Sequence, residues 1–465
     1  MQNSWEITMS KALEHARNQA SAFRQQLHDF LRIPSVSTLP EQAGAVREAA
    51  EWLADNMRRA GIQNVAVMPT GGHPVVYGDW LNAGPDAPTV LIYGHYDVQP
   101  AQKSDGWHND PFNPVERDGK LFARGSSDDK GQMFAHVKAV ESVLQTEGRL
   151  PVNVKFMVEG EEEIGSPHLA DFLRANRDRL AANVCIISDT AILSEEQPSI
   201  IYALRGLSAL EIVVTGPQND LHSGSFGGAV HNPVQALAEI VAQLHNPDGS
   251  IAVPGFYDDV LPLSDEERAE LKKADISAEE WTRISGTPAP WGEPDYTILE
   301  RIGGRPTLEI NGMAGGFYGD GIKTVLPARA LAKITCRLVA NQQPQRIFEQ
   351  IRDYVQQITP PTVRADVRYL GGGDPALVDI QTPAMQAAIR AYEKGWGQRP
   401  VFMREGGSIP IVADIQRELN VPVLLMGFGL NTDGAHGPNE HFTISMFHRG
   451  IDTSIHFLHE IVQES

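Results

Sequence analysis

Cysteine is nearly absent: Cys185 and Cys336 are the only two in 465 residues, and they stand 151 positions apart. That spacing excludes a disulfide framework and a thiolate metal site, and it fits a reducing compartment. No stretch approaches the ~18 consecutive apolar residues of a membrane span, and the opening "MQNSWEITMSKALEHARNQA" lacks the apolar core of a secretory signal. The expectation is a cytoplasmic protein. Positive charge is also short, with 39 Lys plus Arg against 59 Asp plus Glu and a formal net charge of -20. No basic patch offsets that balance, so nucleic acid and anionic membrane are excluded as expected partners. Internal repeats, low-complexity tracts and Pro-rich linkers are missing too.

With 42% hydrophobic residues, the chain is expected to be globular, and 465 residues exceed what one ordinary core organises. Residues 10 to 32 read as one amphipathic helix, and "EQAGAVREAAEWLADNMRRAG" as another closed by Gly61. Next come the buried-strand runs "PTVLIYG", "VNVKFMVEG" and "NVCIISD", with helices starting near Asp129 and Ser166. This order predicts an open, largely parallel α/β sheet whose ligands bind beyond the carboxyl ends of the strands. After Arg205 the alternating "LSALEIVVTG" and "ALAKITCRLVA", with a helix at 231 to 246 between them, predict an α+β domain. The α/β pattern resumes with a helix at about 383 to 396, the strand "VPVLLMGFG" and a closing helix from about 445. The expected division is 1–205, 206–380 and 381–465, one α/β domain interrupted by an inserted one.

His95 and Asp97, at i and i+2 on a strand exit, point the same way. Other strand exits carry similar groups: Asp128 and Asp129 in "ARGSSDDKG", Glu161 to Glu163 in "EGEEEIGS", Asp189 in "IISDT", and His436 and His441 in "NTDGAHGPNEHF". Carboxylates converging on one crevice repel one another unless cations neutralise them, and imidazole plus carboxylate donors suit zinc, manganese or cobalt.

Together "GHYDVQP", "ARGSSDDKG", "EGEEEIGS", "SDT" and "AHGPNE" resemble the five metal-site motifs of the co-catalytic zinc peptidase family of aminoacylase-type deacylases, glutamate carboxypeptidases and carnosinase-like dipeptidases. The resemblance spans nearly the whole chain. It implies that His95 and Asp189 hold one metal, Glu163 and His436 the other, and that Asp128 bridges the two. Glu162 falls at the family's general base, and Asp97 at the carboxylate that orients the first histidine. Zinc is the first expectation for both ions, with manganese and cobalt as alternatives. Three ionised carboxylates, two divalent cations and a bridging hydroxide sum to zero, so such a centre can be partly buried without a large Born cost. By the same resemblance, the peptide bond between Asp128 and Asp129 is expected to be cis.

The inserted domain resembles a lid and dimerisation domain. His222, in "QNDLHSGSFGGAV", is implied to donate to the oxyanion in the partner subunit's site of a homodimer. Arg337, Thr324 and the anion nest of Gly406, Gly407 and Ser408 are implied to hold the C-terminal carboxylate of a small peptide. The expected activity is hydrolysis of a dipeptide's amide. An N-acyl-amino-acid deacylase would share the metal chemistry, and the long insertion from about 255 to 305 favours the dipeptidase branch.

Overall fold

The computed structural model describes residues 4–407 and 409–464. They form two compact units, Met1–Tyr202 with Val378–Phe402 and Asp414–Ser465, and Ala203–Leu377 with Met403–Ala413. Met403–Ala413 thus belongs to the second unit, although the sequence pattern assigned it to the returning α/β part.

In the first unit the N-terminal helix of the sequence reading is two helices, α1 (Ser4–Asn18) and α2 (Ala20–Leu31). The break falls at Gln19, which leaves the helical region with φ -92° and ψ 4°. Phe23, Leu27, Phe30 and Leu31 form the buried stripe of α2. Helix α3 (Ala43–Arg59) buries Val46, Ala49, Ala50, Leu53 and Met57, and just beyond it the chain turns at Gly61, with φ +92°.

The strands β1 (Gln63–Met68), β2 (Val75–Trp80) and β3 (Thr89–His95) follow. Helix α4 (Lys130–Glu147) leads to β4 (Asn153–Glu159), β5 (Val184–Ile187) and β6 (Ser199–Leu204).

The second unit is built from β7 (Gly206–Thr215), α5 (Pro233–Ala242), β8 (Thr307–Gly315), β9 (Arg329–Leu338), α6 (Pro344–Ile358) and β10 (Arg364–Gly373). Its sheet is antiparallel throughout, in the order β8-β9-β7-β10. Alternate residues such as Leu210, Ile212, Ile334 and Cys336 enter one core with Leu237 of α5 and Ile351 of α6.

The chain returns to the first unit with α7 (Pro383–Trp396), β11 (Val423–Leu425) and α8 (Ile444–Glu460). The sheet there runs β1-β2-β4-β3-β5-β11-β6. Among these seven strands the centre, β4-β3-β5-β11, is parallel, while β1, β2 and β6 pair antiparallel, so the sheet is mixed. The central strands are buried at every position but Thr89, which is why they appear in the sequence as largely apolar runs. Parallel register sets His95 beside Glu159 and Tyr93 beside Ile187, so the segments leaving β3, β4 and β5 emerge on one edge.

Candidate metal centre

On that edge the sequence-selected residues of the first unit come together. The imidazole Nε2 of buried His95 lies 3.1 Å from Asp128 Oδ1 and 3.8 Å from Asp189 Oδ2. His436 Nε2 lies 2.9 Å from Asp128 Oδ2 and 3.2 Å from Glu163 Oε2. Each oxygen of Asp128 therefore faces a different imidazole, the arrangement a carboxylate shared between two cations needs. Two sets, His95 with Glu162 and Asp189, and His95 with Asp128 and Glu163, have donor atoms all within 4.8 Å of one another. The Asp128–Asp129 peptide bond is cis, as the resemblance implied.

The donor set fits divalent cations. Burial and the neighbouring charges of Asp189, Glu163 and Asp128 push the Glu162 carboxyl up to about 9, against the opposing pull of His95. Hydrogen bonds to Asp128 and Glu163 hold the His436 imidazolium up to about 10. Burial opposes charge on His95, yet Asp128 and Asp97 raise its pKa well above the ordinary value. Protons thus supply the positive charge that these crowded carboxylates require, and metal cations can replace them.

Two buried carboxylates fix the loops that carry the donors. Asp97 accepts the backbone N–H of Glu162 at 3.2 Å, the N–H of Glu163 at 3.1 Å and the hydroxyl of Ser37 at 2.6 Å. Its backbone carbonyl is the nearer partner of His95 Nδ1, at 3.1 Å, while its carboxylate stands 3.5 Å away. The support that the sequence attributed to the side chain is thus shared with the main chain. Fully buried Glu440 accepts from the N–H groups of Gly125, Ser127 and Asp128 at 3.0, 3.0 and 3.2 Å, and from Arg124 Nη1 at 2.7 Å. Gln99 holds Glu163 through its backbone and side chain at 3.1 and 2.7 Å. Ser37, Gln99 and Glu440 were missed as site residues. The signal for Gln99 and Glu440 was their place in "GHYDVQP" and "AHGPNE", whereas no local pattern marks Ser37. Neither His436 nor His441 is in these two donor sets; His436 reaches Asp128 and Glu163, whereas His441 has Nδ1 3.0 Å from the Asn439 carbonyl and Nε2 3.0 Å from Lys120 Nζ.

The remaining expected residues belong to the second unit. Exposed His222 accepts the N–H of Gly224 on Nδ1 at 3.0 Å, which leaves the proton of the neutral ring on Nε2, available to donate. Thr324 is its neighbour, its carbonyl accepting the N–H of Ser223 at 3.0 Å. Arg337, on β9, lines a cavity of about 750 Å³. The carbonyls of Gly407 and Gly406 accept from Arg205, at 3.1 Å from its backbone N–H and 3.2 Å from its Nε. Ser408 lies outside the described residues.

A model of the peptidase family M20/M25/M40 matches residues 91–460. The Cys-Gly metallodipeptidase DUG1 of Candida albicans is 34% identical over 457 residues, 94% of each chain. The Beta-Ala-His dipeptidase of Homo sapiens is 32% identical over 449 residues, 93% of this chain and 88% of its own. The crystal structure of human carnosine dipeptidase 1 matches with a TM-score of 0.81 at 31% identity, covering 98% of this chain and 99% of the other. With a family match over most of its length and with these relatives, the chain belongs to peptidase family M20/M25/M40 and is a metallopeptidase of that family.

Proposed function

We propose that the chain is a dipeptidase that hydrolyses the single amide of a dipeptide with a free C-terminal carboxylate, using two divalent cations. The observation that carries this reading is Asp128 standing between His95 and His436 with one oxygen toward each. His95 and Asp189 would hold one cation and Glu163 and His436 the other, with Asp128 offering an oxygen to each. Zinc is the first choice for this imidazole and carboxylate set, and manganese or cobalt suits it as well. When bound, such a pair polarises the scissile carbonyl and lowers the pKa of water.

The chain's own groups do the rest. Glu162 takes the proton of the attacking water and passes it to the leaving amine. Asp97, bonded to the backbone of Glu162 and Glu163, keeps the base and its neighbouring ligand in register. His222, with its Nε2–H free to donate, stabilises the oxyanion in the partner subunit's site. Arg337, Thr324 and the Gly407 backbone hold the substrate carboxylate.

A homodimer accords with the exposure of Phe226, Phe317, Tyr318 and Ile322, the last two at 90% and 94%, in the segments flanking His222 and Thr324. A cytoplasmic location accords with two buried free thiols. The two relatives' names specify Cys-Gly and beta-Ala-His, both dipeptides, and support this substrate class. The test is turnover of a panel of dipeptides and N-acetyl amino acids after reconstitution with each of the three metals. Dipeptides should be preferred, and preference for the acetylated compounds would make the protein a deacylase instead.

A further inference from the structure

The second unit's cavity of about 750 Å³ has a wall whose charge runs against that of the chain. Four arginines, Arg205, Arg301, Arg305 and Arg337, line it with two carboxylates, Glu293 and Glu309, in a protein where acidic residues outnumber basic ones 59 to 39. Glu293 is committed to Arg305 through a bidentate pair at 2.7 and 2.8 Å. Arg305 also lies over the rings of Tyr257 and Tyr296, 4.8 and 4.4 Å from their centroids, so this pair serves as wall.

Arg301 differs. Its Nε and Nη1 donate to the carbonyls of Glu293 and Trp291 at 2.8 and 3.1 Å, contacts that orient the guanidinium without supplying a formal negative charge. Arg205 feels the same excess, since burial and the nearby charge of Arg337 lower its pKa to about 10 against the pull of Glu309. A planar guanidinium held at a cavity wall matches a carboxylate in both charge and geometry. The cavity falls within the ~300 to 1,000 Å³ usual for small-molecule sites, and it is larger than one carboxylate at Arg337 would fill.

We propose that this cavity is a subsite for an acidic side chain on the substrate's C-terminal residue, with Arg301 as a specificity-determining group and Glu309 as a counterweight. The inference rests on the dipeptidase reading, in which Arg337 takes the C-terminal carboxylate at the same cavity wall.

The experiment compares kcat/KM for Ala-Glu and its neutral isostere Ala-Gln in the full-length metal-loaded enzyme, the Arg301→Gln variant and the Glu309→Gln variant. The wild type should favour Ala-Glu by about tenfold or more, the range open to a site built around a polar group of its ligand. Arg301→Gln should remove most of that preference through KM for Ala-Glu while leaving Ala-Gln within about twofold. Glu309→Gln, at an exposed position where folding is not at stake, should widen the preference. Equal rates on the two peptides in the wild type, equal losses on both in Arg301→Gln, or an unchanged preference in Glu309→Gln would each overturn the subsite. Cleavage of neither peptide, with N-acetyl-glutamate turned over instead, would overturn the dipeptidase reading and the subsite with it.

Discussion

Glu162 stands where two roles compete, because its carboxylate belongs to a donor set with His95 and Asp189 while its sequence neighbour Glu163 faces His436. Glu162→Gln separates the roles. As a base, its loss should lower kcat by about 10² to 10⁴-fold with two metals per chain retained, measured by turnover and elemental analysis. Loss of metal along with activity would make it a ligand.

A second prediction concerns His136, buried on α4 with Nε2 2.6 Å from Ser188 Oγ and Nδ1 3.0 Å from Ser454 Oγ. Burial pushes its pKa down to about 3. That lies below the ~6.5 of an unfolded imidazole, so the unfolded chain binds the extra proton, and this group's stability is full above pH 6.5 and lost as pH falls toward 3. Relative to His136→Leu, the wild type should therefore lose about 1.4 kcal/mol per pH unit below 6.5 in urea unfolding. A pH-independent difference would refute it. The donors themselves were legible in the sequence because imidazole and carboxylate groups at strand exits are a local pattern. His136 was not, since only packing turns one histidine in an apolar helix into a buried neutral one.

Among the elements, the loops at the sheet edge decide the geometry. The loop before α4 is gathered by Glu440, whose bonded partner Ser127 is 313 residues away in sequence. Replacing Glu440 with Gln puts an amide NH₂ against backbone N–H groups. We expect about a 10- to 100-fold loss in metal affinity or activity, as for other groups that orient ligands from behind, with Glu440→Asp recovering part of it. Competition with a metallochromic chelator measures this, and unchanged affinity together with unchanged turnover would show that the clamp is dispensable.

The central strands were readable from their apolar runs. The antiparallel flanks were not, because a strand buried on both faces looks the same in either direction. The break between α1 and α2 was likewise hidden within one continuous apolar period.

For the whole molecule, the homodimer proposal makes a quantitative prediction. His222→Ala and Glu162→Gln should each be nearly inactive alone. Mixed one to one and allowed to exchange subunits, they should recover about a quarter of wild-type activity, because half the dimers are hybrids with one intact site of two. No recovery despite exchange, shown by mass-tagged chains, would place His222 in its own subunit's site or outside catalysis.

At this scale the sequence by itself determined the inventory: an acidic chain with two sizeable cores, strands ending in metal-type donors, and five ordered motifs identifying their chemistry. Those features are local in the chain: composition and period reveal the cores and the strand ends, and the family resemblance supplies the chemistry of the motifs. Tertiary structure decided which oxygen of Asp128 meets which imidazole, that main-chain N–H groups are tied by Asp97 and Glu440, and that four arginines share one cavity. Such facts depend on angstrom-level distances between segments hundreds of residues apart, and only the packed sheet, with its parallel centre and its buried carboxylates, sets them.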